Sequence, residues 1–267
     1  MANEDTPTQQ TEQRSSPEIR TALITGRTFG IKAVQYAVVD GLAMFEGDIV
    51  LGTVDEVEEA TARLRDIQSG MVIAGVVVSD PAKHWPNCTV PFTIDPALTN
   101  QQRVHDAIAH WQVNTNYRFI ARTTENDFVM FRPSPDSGDC SSTVGRKGGQ
   151  QFINLGLDCS TGNAIHEIGH TIGLWHEQSR EDRDSFITIH WDKIKSGFEH
   201  NFDQHIVDGD DVGPYDYGSI MHYPRTAFSK DGSETITPIT PGAQIGQRTA
   251  LSAGDIAAAN SLCTAAA

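Results

Sequence analysis

The chain has 267 residues, a formal net charge of −15 and an isoelectric point near 4.9. So acidic a balance excludes the basic face that nucleic-acid binding requires, and no apolar run is long enough to cross a membrane. With 38% hydrophobic residues the chain can bury a sizeable core. Cys88, Cys140, Cys159 and Cys263 follow no zinc-ribbon spacing, so two disulfides and an oxidising compartment are expected. The opening Met1-Ala2-Asn3-Glu4-Asp5 is polar and acidic, unlike a secretory leader. The cysteines therefore point to a secreted or periplasmic protein whose leader has been removed.

Residues up to about Ser16 are rich in Thr, Gln, Glu and Ser and predict a disordered tail. Ile19 to Gly52 is β-rich, with Ala37-Val38-Val39 and Ile49-Val50-Leu51 broken by Asp40-Gly41 and Gly47-Asp48. Val57, Ala60, Leu64 and Ile67 share one face of a helix predicted over Val54 to Ile67, ended by Ser69-Gly70. Val72 to Val78 is an apolar strand or connector, and the proline-punctuated stretch Pro81 to Pro96 marks a boundary. A helix is expected over Gln101 to Thr115, with Val104, Ile108 and Trp111 on one face. Strands are expected at Tyr117–Ala121, Asp127–Phe131 and Phe152–Leu155. The glycine-rich stretch Ser142 to Gln151 lacks the order of a phosphate-binding loop. Helices are expected from Gly162 to Leu174 and from Ser252 to Cys263.

The chemistry concentrates in His166-Glu167-Ile168-Gly169-His170-Thr171-Ile172-Gly173-Leu174-Trp175-His176. Histidines four residues apart lie one turn apart on one helix face, within reach of a single zinc ion at about 2.0–2.1 Å. Glu167 projects about 100° round the helix from His166, away from the ligand positions but towards a water on the metal. Gly173 can take the left-handed conformation that ends a helix, which lets the chain turn back and present His176. Three histidine nitrogens leave a coordination position open, as in catalytic rather than structural zinc sites. This spacing is also the metzincin pattern, and Ser219-Ile220-Met221-His222-Tyr223 can supply the methionine turn that accompanies it. There Met221 would form a soft packing floor under the metal.

The longer run His176-Glu177-Gln178-Ser179-Arg180-Glu181-Asp182-Arg183-Asp184, read with the zinc motif and with Ser219 to Tyr223, resembles the astacin family of metallopeptidases. The likeness continues through Arg122-Thr123-Thr124-Glu125, Cys140-Ser141-Ser142-Thr143-Val144-Gly145 and Asn201-Phe202, covering roughly Trp85 to Cys263. It implies Zn2+ on His166, His170 and His176, with Glu167 as general base. Tyr223 would be a further zinc ligand that swings away to hydrogen-bond the tetrahedral intermediate. Glu177 would fix the new amino terminus of the mature enzyme; on the residues alone, Glu177 and the charges from Arg180 to Asp184 read as a solvated, mutually paired surface. The family commonly has a cysteine just before the strand seen here as Arg118-Phe119, whereas this chain has Asn116 and Tyr117 there and Cys88 upstream. The expected pairing is Cys140–Cys159 and Cys88–Cys263, one of three connectivities open to four cysteines. A free Cys88 blocking the metal as a thiolate is an alternative.

Phe45-Glu46-Gly47-Asp48-Ile49 resembles the Phe-x-Gly-Asp-Ile motif of astacin pro-segments, whose aspartate occupies the open zinc position. A carboxylate is a good zinc ligand, and Gly47 lets the backbone pass close to the metal. The resulting expectation is an α+β, metzincin-type catalytic domain over 81–267, with two subdomains around a zinc cleft. An inhibitory pro-segment over 19–80 and a tail over 1–18 precede it. The implied protein is a monomeric zinc endopeptidase acting on proteins or peptides, with no nucleic-acid or membrane partner. It would be switched on by an activating protease that cuts between Arg65 and Lys83. A zinc-binding protein without catalysis and a zinc hydrolase of non-peptide substrates are the rival readings.

Overall fold

A computed structural model describes residues 16–25, 31–70, 83–135, 139–204 and 214–263, giving only the backbone at 25, 31–32 and 63–70. Most of the expected tail, the apolar run Val72–Val78 and nearly all of the expected activation region from Arg65 to Lys83 lie outside the described residues or side chains.

The first strands are β1 (Ile19–Thr25), β2 (Ile31–Val39), β3 (Leu42–Phe45) and β4 (Ile49–Thr53), each antiparallel to the next. Asp40 (φ 51°) and Gly41 (φ 78°) form the two-residue link between β2 and β3. Left-handed backbone at both positions matches the right-handed strand twist, which is why Asp-Gly closes this hairpin tightly. The β3–β4 hairpin pairs Phe45 with Ile49, so Glu46, Gly47 and Asp48 form its tip.

Helix α1 (Val54–Gly70) covers this sheet with Val54, Val57 and Thr61, while Ala60 of the expected face is exposed. The Thr61 hydroxyl accepts from the Leu23 amide at 2.9 Å, a polar anchor that apolar periodicity does not reveal. Leu64 and Ile67 have no described side chains.

The second region contains β5 (Thr89–Ile94), α2 (Gln102–Asn114), β6 (Arg118–Ala121), β7 (Phe128–Pro133), β8 (Cys140–Ser142), β9 (Gln150–Leu155) and α3 (Thr161–Ile172). Among the described residues, one nine-stranded sheet runs β1-β2-β3-β4-β8-β9-β7-β5-β6, so the N-terminal hairpins extend the sheet of the second region. The junction is narrow: Ile49 pairs in parallel with Ser142, and the Ser142 amide donates to the Asp48 carbonyl at 3.0 Å.

Strand β5 falls inside the stretch expected to be a boundary. Pro91 lies in the half of β5 whose register is with β6 alone, and β7 pairs only from Phe92 onward. Such edge-like positions tolerate a missing N–H. Trp85, Val90, Val104, Ile108, Trp111, Phe131, Ile153, Ile165 and Ile168 form the main core between sheet and helices.

Beyond α3 regular structure is sparse. The described residues add a three-residue ladder of β10 (Ile187–Ile189) with β11 (Ile236–Pro238), and α4 (Ala253–Leu262). Phe202, Tyr215, Tyr223, Phe228 and Ile236 belong to a separate small core there. The disulfides are Cys88–Cys263 and Cys140–Cys159, with Cα separations of 5.2 and 6.1 Å. They match the expected pairing, and Cys88 is not available as a metal thiolate.

Candidate active site

Helix α3 begins at Ser160, whose hydroxyl accepts from the Asn163 amide while the Asn163 side chain accepts from the Ser160 amide. This reciprocal cap satisfies amides that would otherwise be buried without partners. The helix ends at Gly173, at φ 115°, where the Leu174 amide returns to the Gly169 carbonyl at 2.9 Å. That termination turns the chain and brings His176 back to the helix face carrying His166 and His170.

The three imidazoles and Asp48 are fully enclosed by protein. His166 Nε2 and His176 Nε2 lie 3.0 and 3.1 Å from Asp48 Oδ2, and His170 Nε2 lies 3.5 Å from Asp48 Oδ1. His166 Nε2 and His170 Nε2 are 3.1 Å apart. All four ligand atoms fall within 4.8 Å of one another.

The opposite ring nitrogens are fixed by acceptors. His166 Nδ1 faces the Ile220 carbonyl at 2.8 Å, His170 Nδ1 the Leu174 carbonyl at 2.9 Å, and His176 Nδ1 the Glu46 carboxylate at 2.6 Å. A neutral histidine donating from Nδ1 carries its lone pair on Nε2. Three such lone pairs therefore converge with a carboxylate on one point, a donor set that repels itself unless a cation sits among it. Three imidazole nitrogens and one carboxylate oxygen fit tetrahedral zinc.

Glu167, on the same helix, is completely buried. Tyr223 stacks at a tilt on His176, with ring centroids 4.6 Å apart, and its hydroxyl donates to the Glu46 carbonyl. Met221 is buried, and its sulfur lies where a side chain at Gly169 would begin. Glu177 accepts from the Asp216 amide at 2.7 Å, and burial pushes its carboxyl up to about 7. Arg183 is buried too, donating to the carbonyls of Gln178 and Phe202, so it does not belong to a solvated charge run.

Glu46 escaped the sequence reading because it fills the variable position of its motif. Its carboxylate accepts from His176 Nδ1 and from the Ser179 hydroxyl, each at 2.6 Å, with no solvent exposure. The available hint was a charged residue placed between an apolar strand and Gly47. The neighbouring Phe45 packs edge-on against Trp175, with ring centroids 5.9 Å apart, so the hairpin tip is seated by apolar contact as well.

Comparison with known proteins agrees with this geometry. The family model described as Astacin, a peptidase family, matches residues 77–264. Zinc metalloproteinase nas-14 of Caenorhabditis elegans is 37% identical over 236 residues, 82% of this chain and 46% of that protein. Astacin-like metalloprotease toxin 1 of Loxosceles intermedia is 37% identical over 216 residues, covering 78% of this chain and 75% of the toxin. The solved structure of High choriolytic enzyme 1, a hatching enzyme zinc-protease from the medaka Oryzias latipes, superposes with a TM-score of 0.63 at 34% identity. It covers 73% of this chain and 100% of its own. The chain spans 46% of nas-14 and 36% of Protein SpAN from Strongylocentrotus purpuratus, less than half of each relative. The α+β fold is that of a metzincin, and the chain belongs to the astacin family of peptidases.

Proposed function

We propose that this chain is a zinc endopeptidase in its latent form, with residues 19–80 as the inhibitory pro-segment and 81–267 as the catalytic domain. The observation that carries the reading is the convergence of His166, His170, His176 and Asp48 on one buried point. His166, His170 and His176 would hold the ion through Nε2, and Asp48 would fill the position a substrate water needs. Bound zinc would supply Lewis acidity, activating a water at neutral pH and polarising the scissile carbonyl.

Glu167 takes the proton of the attacking water and delivers it to the leaving amine, which requires a carboxylate beside the ligands but not among them. Its place one residue after His166 on a capped, buried helix supports that role. Tyr223 donates its hydroxyl to the oxygen that gains charge at the attacked carbon. In the latent chain that hydroxyl is engaged by the Glu46 carbonyl, so one hairpin tip withholds both the open coordination position and the tyrosine. Glu177 would receive the amino terminus created on activation. The two disulfides favour an extracellular or periplasmic site of action. The substrates would be proteins or peptides taken in extended form, and an activating protease would release the pro-segment.

The test is cleavage of an unfolded protein substrate by the purified chain, before and after limited proteolysis ahead of Trp85, with a zinc chelator as control. Turnover should appear only after nicking and vanish with the chelator. Turnover by the intact wild-type chain would refute latency. Inactivity in both states with zinc bound would leave a metal-binding protein.

A further inference from the structure

The three metal-facing histidines are not supported in the same way. His166 and His170 each donate from Nδ1 to a backbone carbonyl of the catalytic domain, Ile220 and Leu174. His176 donates to the Glu46 carboxylate, which belongs to the pro-segment. The second oxygen of Glu46 accepts from the Ser179 hydroxyl, three residues after His176. Both carboxylate oxygens are thus hydrogen-bonded in a site without solvent, the condition under which a buried carboxylate is tolerated. Glu46 sits at φ 48°, in left-handed backbone at the hairpin tip. A non-glycine residue is costly there, and the position is explained by what its side chain reaches.

A carboxylate on the far nitrogen of a ligand histidine fixes the tautomer, orients the ring and makes it a stronger donor. We propose that Glu46 is a removable positioning residue of the metal site: it holds His176 for zinc while the pro-segment is in place, and activation takes that support away. The latent chain then retains zinc more tightly than the mature enzyme for two separable reasons, the Asp48 carboxylate on the ion and the Glu46 carboxylate behind His176. The pro-segment is accordingly a metal-loading and metal-retaining device as well as a plug. This inference rests on the reading that residues 19–80 leave on activation.

The experiment is zinc retention by the uncut chain against a graded competing chelator, measured for wild type, Glu46→Ala, Glu46→Gln and Ser179→Ala. Glu46→Ala should weaken zinc binding by about 10–100-fold, and Glu46→Gln, which keeps an uncharged acceptor, by less. Ser179→Ala, which removes one bond to the carboxylate, should have the smallest effect. The same series on an Asp48→Asn background should show the Glu46 effect undiminished, separating it from the plug.

Residue 46 is lost with the pro-segment, so after processing the Glu46 variants and wild type are the same polypeptide. Equal activity per processed molecule then certifies that the variants had folded. Wild-type zinc retention in both uncut Glu46 variants overturns the proposal. Inactivity of the processed wild type, by contrast, sinks the peptidase reading and leaves the retention result standing.

Discussion

The regions before and after Gly173 in the part that matches the astacin family are held together by different means. The half before Gly173 buries Trp85, Val90, Trp111, Phe131, Ile153 and Ile168 between one sheet and two helices. Among the described residues after it, strands and helices are few and short, and the loops are tied by buried or half-buried polar side chains, most of them reaching backbone groups. Gln178 accepts from the Tyr223 amide, and Thr235 donates to the Ala227 carbonyl. Arg248 donates to the carbonyls of Ile220 and His222, while Asp255 accepts from the Ser219 hydroxyl and the Ile220 amide. Buried peptide groups must be paired whether or not they form secondary structure. The first half therefore rests chiefly on apolar burial, while the second adds to its own smaller core a polar network that fixes its loops around Tyr223.

The largest effect that can test this contrast is chemical. If the proton-transfer group belongs to the regular half, Glu167→Ala should lower kcat by about 10²–10⁴-fold. Zinc content and thermal midpoint should stay at wild-type values in the processed enzyme. Tyr223→Phe, in the network half, removes one donor and should cost about 10²–10³-fold, mostly in kcat. A Glu167→Ala enzyme with near-normal turnover would move the chemistry elsewhere.

Next come the two kinds of stabilisation. Trp111 is fully buried, and its indole N–H donates to the Ile165 carbonyl at 2.9 Å, joining α2 to α3. Trp111→Ala should cost about 3–5 kcal/mol of global stability, read from chemical denaturation. Arg183→Met keeps the volume but leaves the Gln178 and Phe202 carbonyls without this donor. Its expected cost is about 1–3 kcal/mol, concentrated in faster amide exchange around residues 178–202. Uniform loss of protection across the sheet in Arg183→Met would mean the two halves form one cooperative unit.

The same division explains what could be read from the sequence. Val104, Ile108 and Trp111 announced α2 through their spacing, and the histidine–glycine–histidine pattern announced the metal site, because both are local and periodic. The break at Asp40-Gly41 was legible for a similar reason, its chemistry being confined to two residues, though not that it closes a hairpin. Thr61 was not, since a threonine turned inward to cap a strand amide breaks the apolar pattern that would locate it. Pro91 concealed β5 because the pairing that tolerates it is set by strands distant in sequence. Glu46 contacts His176, 130 residues away, and no spacing rule connects them.

The smallest predicted effect lies at the seam between the halves, where Met221 rests on α3. A Cβ built on Gly169 would stand 2.6 Å from the Met221 sulfur and 3.2 Å from its methyl carbon. Gly169→Ala therefore sets two terms against each other. Alanine gains about 1 kcal/mol of helix propensity over glycine, while forcing Met221 aside in a packed site costs about 1–3 kcal/mol. The net loss should be about 0–2 kcal/mol, because the end of a methionine side chain can move where a backbone atom could not. Met221→Ala should reverse the sign, making Gly169→Ala neutral or stabilising once the sulfur is gone. A double-mutant cycle on denaturation midpoints measures that coupling directly. A coupling near zero would show that Met221 does not pack on the helix as a floor, and that the halves meet there only through hydrogen bonds such as His166 Nδ1 to the Ile220 carbonyl.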